Sequence, residues 1–356
     1  MKRLTTYTHP IFSFLLFLFC FSNLNTQAQY PSPEKVRKDL ITLLQRPVVD
    51  PQAFFTSSAT QTAIIERGYF FSEATEKVPV VIYKPIVKTT KPLPVVICLH
   101  GTGGSKDGAE IKNLLDSFSE IGFMAVGIDA RFHGERVNKV AGHNFYTEAI
   151  IKAWQNKDAA KQTHPFYFDT VYDLWKLVDY LCTRSDVDST RIGMMGISMG
   201  GIETWMAASV DTRIKVAVPV IAAQSFKWSL DNERWQGRAR TIWAAHEQAA
   251  KDMGDTVVNA KNVKAVWDKV LPGILNEFDC PSMLRLFTAR PLLLLNNEKD
   301  QNCPLPGAQI AFDMVSNSYR SANALDKLKI DITPNEPHRF TPQHAAMTIA
   351  WFKKWL

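Results

Sequence analysis

The stretch RIGMMGISMGGIETWMAAS, residues 191–209, joins an apolar run to a serine flanked by glycines and then to a helical pattern. Its centre, Gly196-Ile197-Ser198-Met199-Gly200, is a GxSxG motif. Glycines two residues either side of the serine let the neighbouring backbone come close without a Cβ clash, so the serine can occupy a very tight turn between a strand and a helix. The flanking strand and helix patterns therefore favour a catalytic Ser198 over a serine in an ordinary turn.

The chain from residue 78 onward alternates between strand and helix patterns. Continuous apolar runs such as LPVVICL and PLLLL are typical of strands that are buried on both faces of a parallel sheet. Strands that alternate with helices predict an α/β fold with a doubly wound, mostly parallel sheet. The predicted strands are 78–83, 93–99, 123–128, 191–196, 214–221, 291–295 and 328–332, and the predicted helices are 109–121, 170–181, 200–209, one from about 307 and one opened by Thr341-Pro342.

One connection is far longer than the others. About seventy residues separate the strand that ends near Ile221 from the strand that starts at Pro291, whereas connections in α/β units run about 2–6 residues. We interpret residues 224–288 as a helical cap insertion over the carboxyl edge of the sheet. Residues 29–77 are interpreted as an N-terminal helix and an irregular lead-in packed on the core, and residues 78–356 as the main domain.

The first 28 residues have the pattern of a secretory signal peptide. Lys2 and Arg3 precede an apolar run at 11–21, and Thr26-Gln27-Ala28 offers small residues for cleavage. A run of this length is too short to span a bilayer. We therefore expect export to the periplasm or the extracellular space without a stable membrane anchor, in preference to an uncleaved N-terminal anchor.

The composition indicates a globular protein with a sizeable core. The 356 residues are 46% hydrophobic, and the net charge of +6 is not concentrated in any basic run. A nucleic-acid partner therefore has no support. Four cysteines would remain after export, Cys98, Cys182, Cys280 and Cys303. Cys98 is predicted to be a buried thiol, and among the three full pairings that four cysteines allow, Cys280 with Cys303 is the pair to test first.

In its context the serine motif resembles the α/β-hydrolase superfamily. More narrowly, the chain resembles the dienelactone-hydrolase-like and acetyl-xylan-esterase-like branches, including peptidase-related members. The resemblance covers about residue 78 to the C-terminus, and it implies a serine hydrolase. It rests on HGTGG at 100–104, DARFHGER at 129–136, GISMGG at 196–201, NNEKD at 296–300 and EPHRFTP at 336–342.

A serine hydroxyl needs a base to become a good nucleophile. In α/β-hydrolases the acid and then the histidine follow the serine along the chain, and Asp300 and His338 follow Ser198 in this order, each just beyond a predicted strand. We expect His338 to act as the base and Asp300 to orient it. The alternatives are His344 for the base and Asp331 or Glu298 for the acid; His344 lies within the predicted final helix, and Asp331 within or at the end of the last strand.

Acyl transfer places negative charge on the carbonyl oxygen, which N–H groups must meet. The Met199 N–H is one expected donor. The second is expected from the glycine-rich loop His100–Gly104, where we nominate the Thr102 N–H, with those of Gly101 and Gly103 as alternatives. A phosphate cradle is disfavoured, because no GxxxxGK[ST] motif is present.

The segment after the strand at 123–128 is dense in polar residues. In the families that the chain resembles, this segment braces the loops around the nucleophile. An Asp–Arg pair would do so through a bidentate, charge-assisted hydrogen bond. A direct role of an arginine in holding an anionic sugar is the less favoured alternative. The residues concerned are Asp129, Arg131, His133 and Arg136.

These observations predict a carboxylic-ester hydrolase that works through an acyl-enzyme and needs neither a cofactor nor a metal ion. Export and the family resemblance suggest esters of carbohydrates, acetylated ones especially. A serine peptidase of the prolyl-oligopeptidase type is a second hypothesis, weakened because the chain lacks room for a large gating propeller. A catalytically inactive α/β-hydrolase that binds a ligand or partner is a third.

Overall fold

A computed structural model describes residues 30–86, 91–137 and 143–356. The predicted signal peptide at 1–28 lies outside these ranges. Nine strands form one sheet in the order β1-β2-β3-β5-β4-β6-β7-β8-β9. Their bounds are β1 Phe54–Ala59, β2 Ala63–Glu73, β3 Glu76–Pro85, β4 Leu93–Leu99, β5 Met124–Ile128, β6 Val187–Ile197, β7 Ile214–Val220, β8 Leu292–Asn297 and β9 Leu328–Thr333.

The sheet is antiparallel at one end and parallel elsewhere. Strands β1, β2, β3 and β5 pair antiparallel in succession, and the pairings from β5 through β4, β6, β7 and β8 to β9 are parallel. The mostly parallel sheet confirms the predicted α/β fold. Because the parallel strands share a direction, the loops that follow β4, β5, β6, β8 and β9 meet at one edge, where open α/β sheets bind ligands.

Helices cover both faces of the sheet. Phe118 of α2 and Phe352 of α12 belong to the apolar cluster on one face, and Trp205 of α5 and Trp267 of α9 belong to the cluster on the other. The helices are α1 Pro33–Leu43, α2 Ala109–Glu120, α3 Phe145–Gln155, α4 Phe168–Thr183, α5 Met199–Val210, α6 Phe226–Asp231, α7 Gln236–Arg240, α8 Trp243–Asp252, α9 Ala260–Val270, α10 Cys280–Leu284, α11 Leu305–Ser321 and α12 Pro342–Trp355.

The N-terminal lead-in differs from its prediction as irregular chain. Residues 54–73 form β1 and β2, which extend the sheet beyond β3. Strand β1 reads FFTSSA and is mostly exposed, so it lacks the apolar run or the alternation from which a strand is predicted. Its backbone pairing with β2, which sequence patterning does not reveal, makes it a strand. The boundary at residue 78 therefore falls inside β3 rather than before the sheet.

The segment between β7 and β8 holds five helices, α6 to α10. We call residues 222–291 the cap segment. Burial is deep within it: Trp267 and Arg238 are among the largest fully buried side chains. At the base of the cap segment, Asp279 accepts hydrogen bonds from the Phe226 N–H (2.8 Å) and the Ser225 hydroxyl (2.6 Å). These bonds tie the start of the cap segment to the residue that precedes α10.

All four cysteines within the described ranges are free thiols. The Cys280–Cys303 pair that was to be tested first is therefore absent. The Cys303 thiol instead donates to the Ile221 carbonyl (3.2 Å) and accepts from Arg238 Nη2 (3.1 Å), so its surroundings satisfy it without a disulfide. Cys98 is fully buried in β4, as predicted. Across the described ranges, no helix has the length and apolarity that crossing a bilayer requires.

Candidate active site

Ser198 lies at the junction of β6 and α5 in a strained backbone conformation. Its φ and ψ are 55° and −108°, in the left-handed half of the map that L-residues other than glycine rarely occupy. The two motif glycines allow this turn, because a Cβ on Gly196 would overlap the Gly200 carbonyl and a Cβ on Gly200 would overlap the backbone at Leu99. The tight turn expected from the sequence is present, and it lifts the hydroxyl to the edge of the sheet.

Two short contacts link Ser198 to a histidine and an acid. The Ser198 Oγ lies 2.7 Å from His338 Nε2, and His338 Nδ1 lies 2.7 Å from Asp300 Oδ2. A carboxylate can only accept, so Nδ1 carries the proton and Nε2 is left to accept from the serine hydroxyl. The three side chains come from the loops that follow β6, β8 and β9. The geometry is that of a nucleophile, a base and an orienting acid.

The loop after β8 fixes Asp300 firmly. The Asp300 side chain is fully buried, and its Oδ1 accepts hydrogen bonds from the backbone N–H groups of Asn302 (2.7 Å) and Cys303 (3.0 Å). Its other oxygen is therefore the one available to His338. Such a carboxylate is held in one orientation by its own loop.

Asn297, the last residue of β8, holds the histidine loop. Its Nδ2 donates to the carbonyls of Pro337 (2.5 Å) and Arg339 (2.8 Å), the residues on either side of His338. The sequence interpretation gave Asn297 no role beyond its place in the NNEKD motif. The only sequence signal for this role is that a buried strand ends on an amide side chain. The carbonyls to which that amide donates lie about forty residues further along the chain.

The residues considered as alternatives for the base and for the acid lie elsewhere and make other contacts. Glu298 accepts a hydrogen bond from the Asn335 N–H (2.7 Å) at an exposed site. Asp331 lies within β9. His344 is buried at the start of α12, where Nε2 lies 2.9 Å from Thr333 Oγ1 and Nδ1 accepts from the Thr341 N–H (3.3 Å). His344 thus caps a helix.

The glycine-rich loop reaches the serine from the neighbouring strand β4. A Cβ built on Gly101 would lie 3.6 Å from the Ser198 Cβ, and a Gly104 N–H to Gly101 carbonyl bond (2.9 Å) closes a turn around Thr102. The N–H groups of Met199 and Thr102 have no acceptor among the described residues. Free backbone donors beside the serine are what an oxyanion requires.

His100 braces this loop. Its Nε2 accepts from the Ala130 N–H (3.1 Å), so the proton is on Nδ1, which donates to the Gly101 carbonyl (2.8 Å). Burial lowers the pKa of His100, which favours this neutral form. The side chain thereby ties the loop after β4 to the loop after β5.

Asp129 is fully buried and is paired with a lysine. Its carboxylate accepts from Lys106 Nζ (3.0 Å), the Lys106 N–H (2.8 Å) and the Glu135 N–H (3.0 Å). Burial works against the charge of Lys106, but Glu135 and Asp129 outweigh it and raise the pKa of that amine. Lys106 went unremarked in the sequence because it follows the glycine-rich loop as an ordinary polar residue.

The bidentate Asp–Arg pair expected near Asp129 forms with a different acid. Arg131 donates from Nε to Asp173 Oδ2 (2.9 Å) and from Nη2 to Asp173 Oδ1 (2.8 Å), and Arg136 Nη1 donates to the same carboxylate (2.7 Å). Burial alone would raise the pKa of Asp173, but the two arginines lower it. Asp173 lies on α4, beyond what the local pattern could indicate. Both arginines are consumed by carboxylates, which argues against their binding an anionic sugar.

Asp300, Cys303 and His338 offer ligand atoms that lie within 4.8 Å of one another, the one such cluster among the described residues. A metal ion would need the Cys303 thiolate. Burial raises the pKa of that thiol, and its hydrogen bonds to Arg238 and Ile221 already satisfy it. The cluster therefore suits a hydrogen bond by which Asp300 orients His338 better than it suits metal binding.

Comparison with known families gives two matches, each over more than half of the chain. The family described as Acetyl xylan esterase (AXE1) matches residues 44–227. The Prolyl oligopeptidase family matches residues 168–356. The first match covers the glycine-rich loop and Ser198, and the second covers Ser198, Asp300 and His338.

Individual relatives agree with these matches. "Putative hydrolase YtaP" of Bacillus subtilis is 32% identical over 154 residues, which are 40% of this chain and 48% of YtaP; the match thus spans about half of that relative. "Putative esterase YitV" of Bacillus subtilis is 24% identical over 74% of this chain and 90% of its own length. The solved acetyl xylan esterase from Paenibacillus sp. R4 superposes with a TM-score of 0.67 at 18% identity, over 93% of this chain and 98% of that one, which shows a shared fold.

Proposed function

Because this chain belongs to the acetyl xylan esterase family of serine carboxylic-ester hydrolases, on the α/β-hydrolase fold that the prolyl oligopeptidase family shares, we propose that it cleaves esters through an acyl-enzyme on Ser198. The observation that carries the proposal is the pair of 2.7 Å contacts from Ser198 through His338 to Asp300. A hydroxyl in contact with a neutral imidazole nitrogen is set to lose its proton as it attacks.

In the first half of the proposed reaction, Ser198 Oγ attacks the ester carbonyl while His338 Nε2 takes its proton. Asp300 stabilises the imidazolium through Nδ1. The carbonyl oxygen becomes an oxyanion that the Met199 N–H and an N–H of the 101–103 loop stabilise. The C–O bond to the alcohol then breaks, and His338 returns its proton to the leaving oxygen.

In the second half, a water molecule gives its proton to His338 and attacks the acyl group on Ser198. The second oxyanion meets the same N–H donors. Its collapse breaks the bond to Ser198, whose oxygen recovers the proton, and the carboxylic acid leaves. Every proton in this cycle passes through His338, and the residues named supply all the chemistry.

For the substrate we propose acetyl esters of carbohydrates. Support comes from the family match over residues 44–227 and from the name of the solved relative from Paenibacillus. Export of a mature chain that starts at Gln29 fits a polymeric substrate outside the cell. N-terminal sequencing of the protein recovered from the periplasm or medium tests the proposed export and cleavage. A chain that keeps Met1 and stays in the cytoplasm would contradict export.

The experiment that tests the activity uses the mature protein and a fluorophosphonate probe, with Ser198→Ala as the matched variant. We expect covalent labelling and p-nitrophenyl acetate turnover in the wild type and neither in Ser198→Ala, with both proteins folded by circular dichroism. No labelling of folded wild type would favour the inactive binding protein over the enzyme.

A second candidate is a serine peptidase, favoured by the match of residues 168–356 to the prolyl oligopeptidase family. A panel of p-nitrophenyl acyl esters, acetylated xylan and dipeptide amides separates the two. We expect the fastest rates on acetyl esters. Cleavage of the amides without ester turnover would favour the peptidase.

A further inference from the structure

A cavity of about 520 Å³ opens beside the glycine-rich loop. Thr102 and Gly103 form one wall, and residues 132–134, Val137 and residues 143–146 form the others. The same loop approaches the nucleophile, since a Cβ on Gly101 would lie 3.6 Å from the Ser198 Cβ. The glycine-rich loop therefore lies between this cavity and the nucleophile.

Phe132, which lines this cavity, has an unfavourable backbone conformation. Its φ is 61°, a value at which glycine is free and a bulky residue is strained. The backbone on both sides is fixed, because the Arg131 N–H donates to Thr170 Oγ1 (3.1 Å) and the His133 N–H donates to the Ala130 carbonyl (3.1 Å). Core packing accounts for only part of Phe132, because the residue is 36% exposed. A strained, exposed aromatic residue on a cavity wall points to a ligand.

The chemistry of the walls indicates what the ligand is. Flat aromatic surfaces come from Phe132 and from Phe145, whose ring stacks on His143 at 5.6 Å. Hydroxyl and amide groups come from Thr102, Ser105 and Asn144. None of the thirteen described lining residues is Asp, Glu, Lys or Arg.

His133 adds no charge to these walls near neutral pH. Burial, with the neighbouring His100, lowers the pKa of His133 to about 4. Apolar ring faces together with neutral hydrogen-bonding groups suit an uncharged molecule that has both faces and hydroxyls. A sugar ring has this character, whereas a uronate would find neither lysine nor arginine among the described lining residues, and the other histidine there, His143, lies 3.0 Å from a Glu148 oxygen.

We propose that this cavity binds the carbohydrate alcohol of the ester, an uncharged pyranose that stacks on Phe132 while its acetyl group faces Ser198. The inference rests on the proposed ester hydrolysis. The acetyl group is far smaller than the cavity, and a long acyl chain would need apolar walls rather than hydroxyl and amide groups. The cavity therefore fits the alcohol side of the substrate.

The test compares Phe132→Gly with the wild type on two substrates, acetylated xylo-oligosaccharide and p-nitrophenyl acetate. Glycine suits the backbone at this position, so the variant is expected to fold with an undiminished Tm. We expect the ratio of kcat/KM for the sugar ester to that for p-nitrophenyl acetate to fall about tenfold, mainly through KM, as one lost aromatic contact allows. Phe54→Ala, an exposed aromatic position on β1, is the control and should leave the ratio unchanged.

Binding without turnover is the second measurement. Titration calorimetry of Ser198→Ala with unacetylated xylo-oligosaccharide should show heat of binding that Ser198→Ala/Phe132→Gly loses. An unchanged ratio in Phe132→Gly, or equal affinities of the two inactive variants, would overturn the sugar site. Wild type that hydrolyses p-nitrophenyl acetate but no acetylated sugar would also overturn it while leaving the ester hydrolase in place. Wild type inactive on both substrates would instead refute the hydrolase itself.

Discussion

The loop that carries Asp300 and the loop that carries Thr102 flank the same serine but are held in different ways. The acid loop is tied to the cap segment: Arg238 Nη2 of α7 donates to the Asn302 carbonyl (3.1 Å), and Gly237 packs so closely on Gln301 that a Cβ would overlap its carbonyl. The glycine-rich loop is braced from behind by His100 and is exposed at Thr102 and Gly103.

The difference fits the roles that the proposed reaction gives to the two loops. The acid loop must hold one carboxylate against an imidazole, so freedom there would cost orientation. In the proposed reaction the glycine-rich loop presents N–H groups to a carbonyl that arrives from outside, which requires an open outer face. The cap segment thus acts as a clamp on one side of Ser198, and the other side is left for the substrate.

The largest effect is expected at the acid itself. Asp300→Asn removes the acceptor that keeps the His338 proton on Nδ1, and a comparable change in a known triad lowers kcat by a factor on the order of 10⁴. Steady-state turnover of p-nitrophenyl acetate measures it. Glu298→Gln, a matched change two residues away at an exposed site, should stay close to wild type. The reverse result, an inactive Glu298→Gln with an active Asp300→Asn, would make Glu298 the acid.

The next largest effect is expected at Lys106, which pairs with Asp129. Lys106→Met leaves the fully buried Asp129 carboxylate without its cation, which is expected to lower the free energy of unfolding by about 3–5 kcal/mol. Urea denaturation measures this loss. The exposed Lys112→Met on α2 is the control. A loss no greater than in that control would mean that the N–H donors alone stabilise Asp129.

A smaller effect concerns the base of the cap segment. Burial, opposed by hydrogen bonds from Ser225 and Phe226, raises the pKa of Asp279 to about 6. The Asp279 carboxylate therefore binds a proton more tightly in the folded protein than in the unfolded chain, where its pKa is near 3.8. The contribution of Asp279 to stability is then present below pH 4 and declines as the pH rises to about 6, by on the order of 3 kcal/mol.

Asp279→Asn should remove this dependence. The free energy of unfolding of the variant minus that of the wild type is expected to increase from pH 4 to pH 6, measured by urea denaturation at half-unit steps. Parallel curves for the two proteins across that window would contradict the raised pKa.

The smallest effect is expected at Arg238, which ties the cap segment to the loop that carries Asp300. Arg238→Met removes the bond to the Asn302 carbonyl and should lower kcat by about ten- to a hundredfold with little change in KM, because misplacement of a catalytic group by about 1 Å can cost a hundredfold. Arg238→Lys should restore part of the rate. Arg240→Met, an exposed position on the same helix, is the control. Equal rates in Arg238→Met and the control would show that α7 is not needed to hold the acid.

The sheet was predictable where each strand has its own signal. The apolar run LPVVICL predicts β4 with its observed bounds, and PLLLL predicts most of β8. Strand β1 has no such run, because it is mostly exposed and pairs only with β2. Patterning detects burial, and a strand defined by pairing alone escapes it.

The same limit applies to the site. Ser198, Asp300 and His338 follow predicted strands in a known order, so the sequence could bring them to one edge of the sheet. Asn297 and Arg238 act through carbonyls about forty and about sixty residues further along the chain. Backbone carbonyls have no sequence identity, so these contacts could not be inferred from residue types.

The backbone conformation of Ser198 is unfavourable for a serine, so the proposed nucleophile lowers the stability of the protein. At a φ of 55°, glycine is the residue that the turn itself prefers. Libraries screened only for yield of folded protein are therefore expected to accumulate Ser198→Gly, which lacks the proposed nucleophile. Any programme that engineers this scaffold for durability has to select for turnover in the same round.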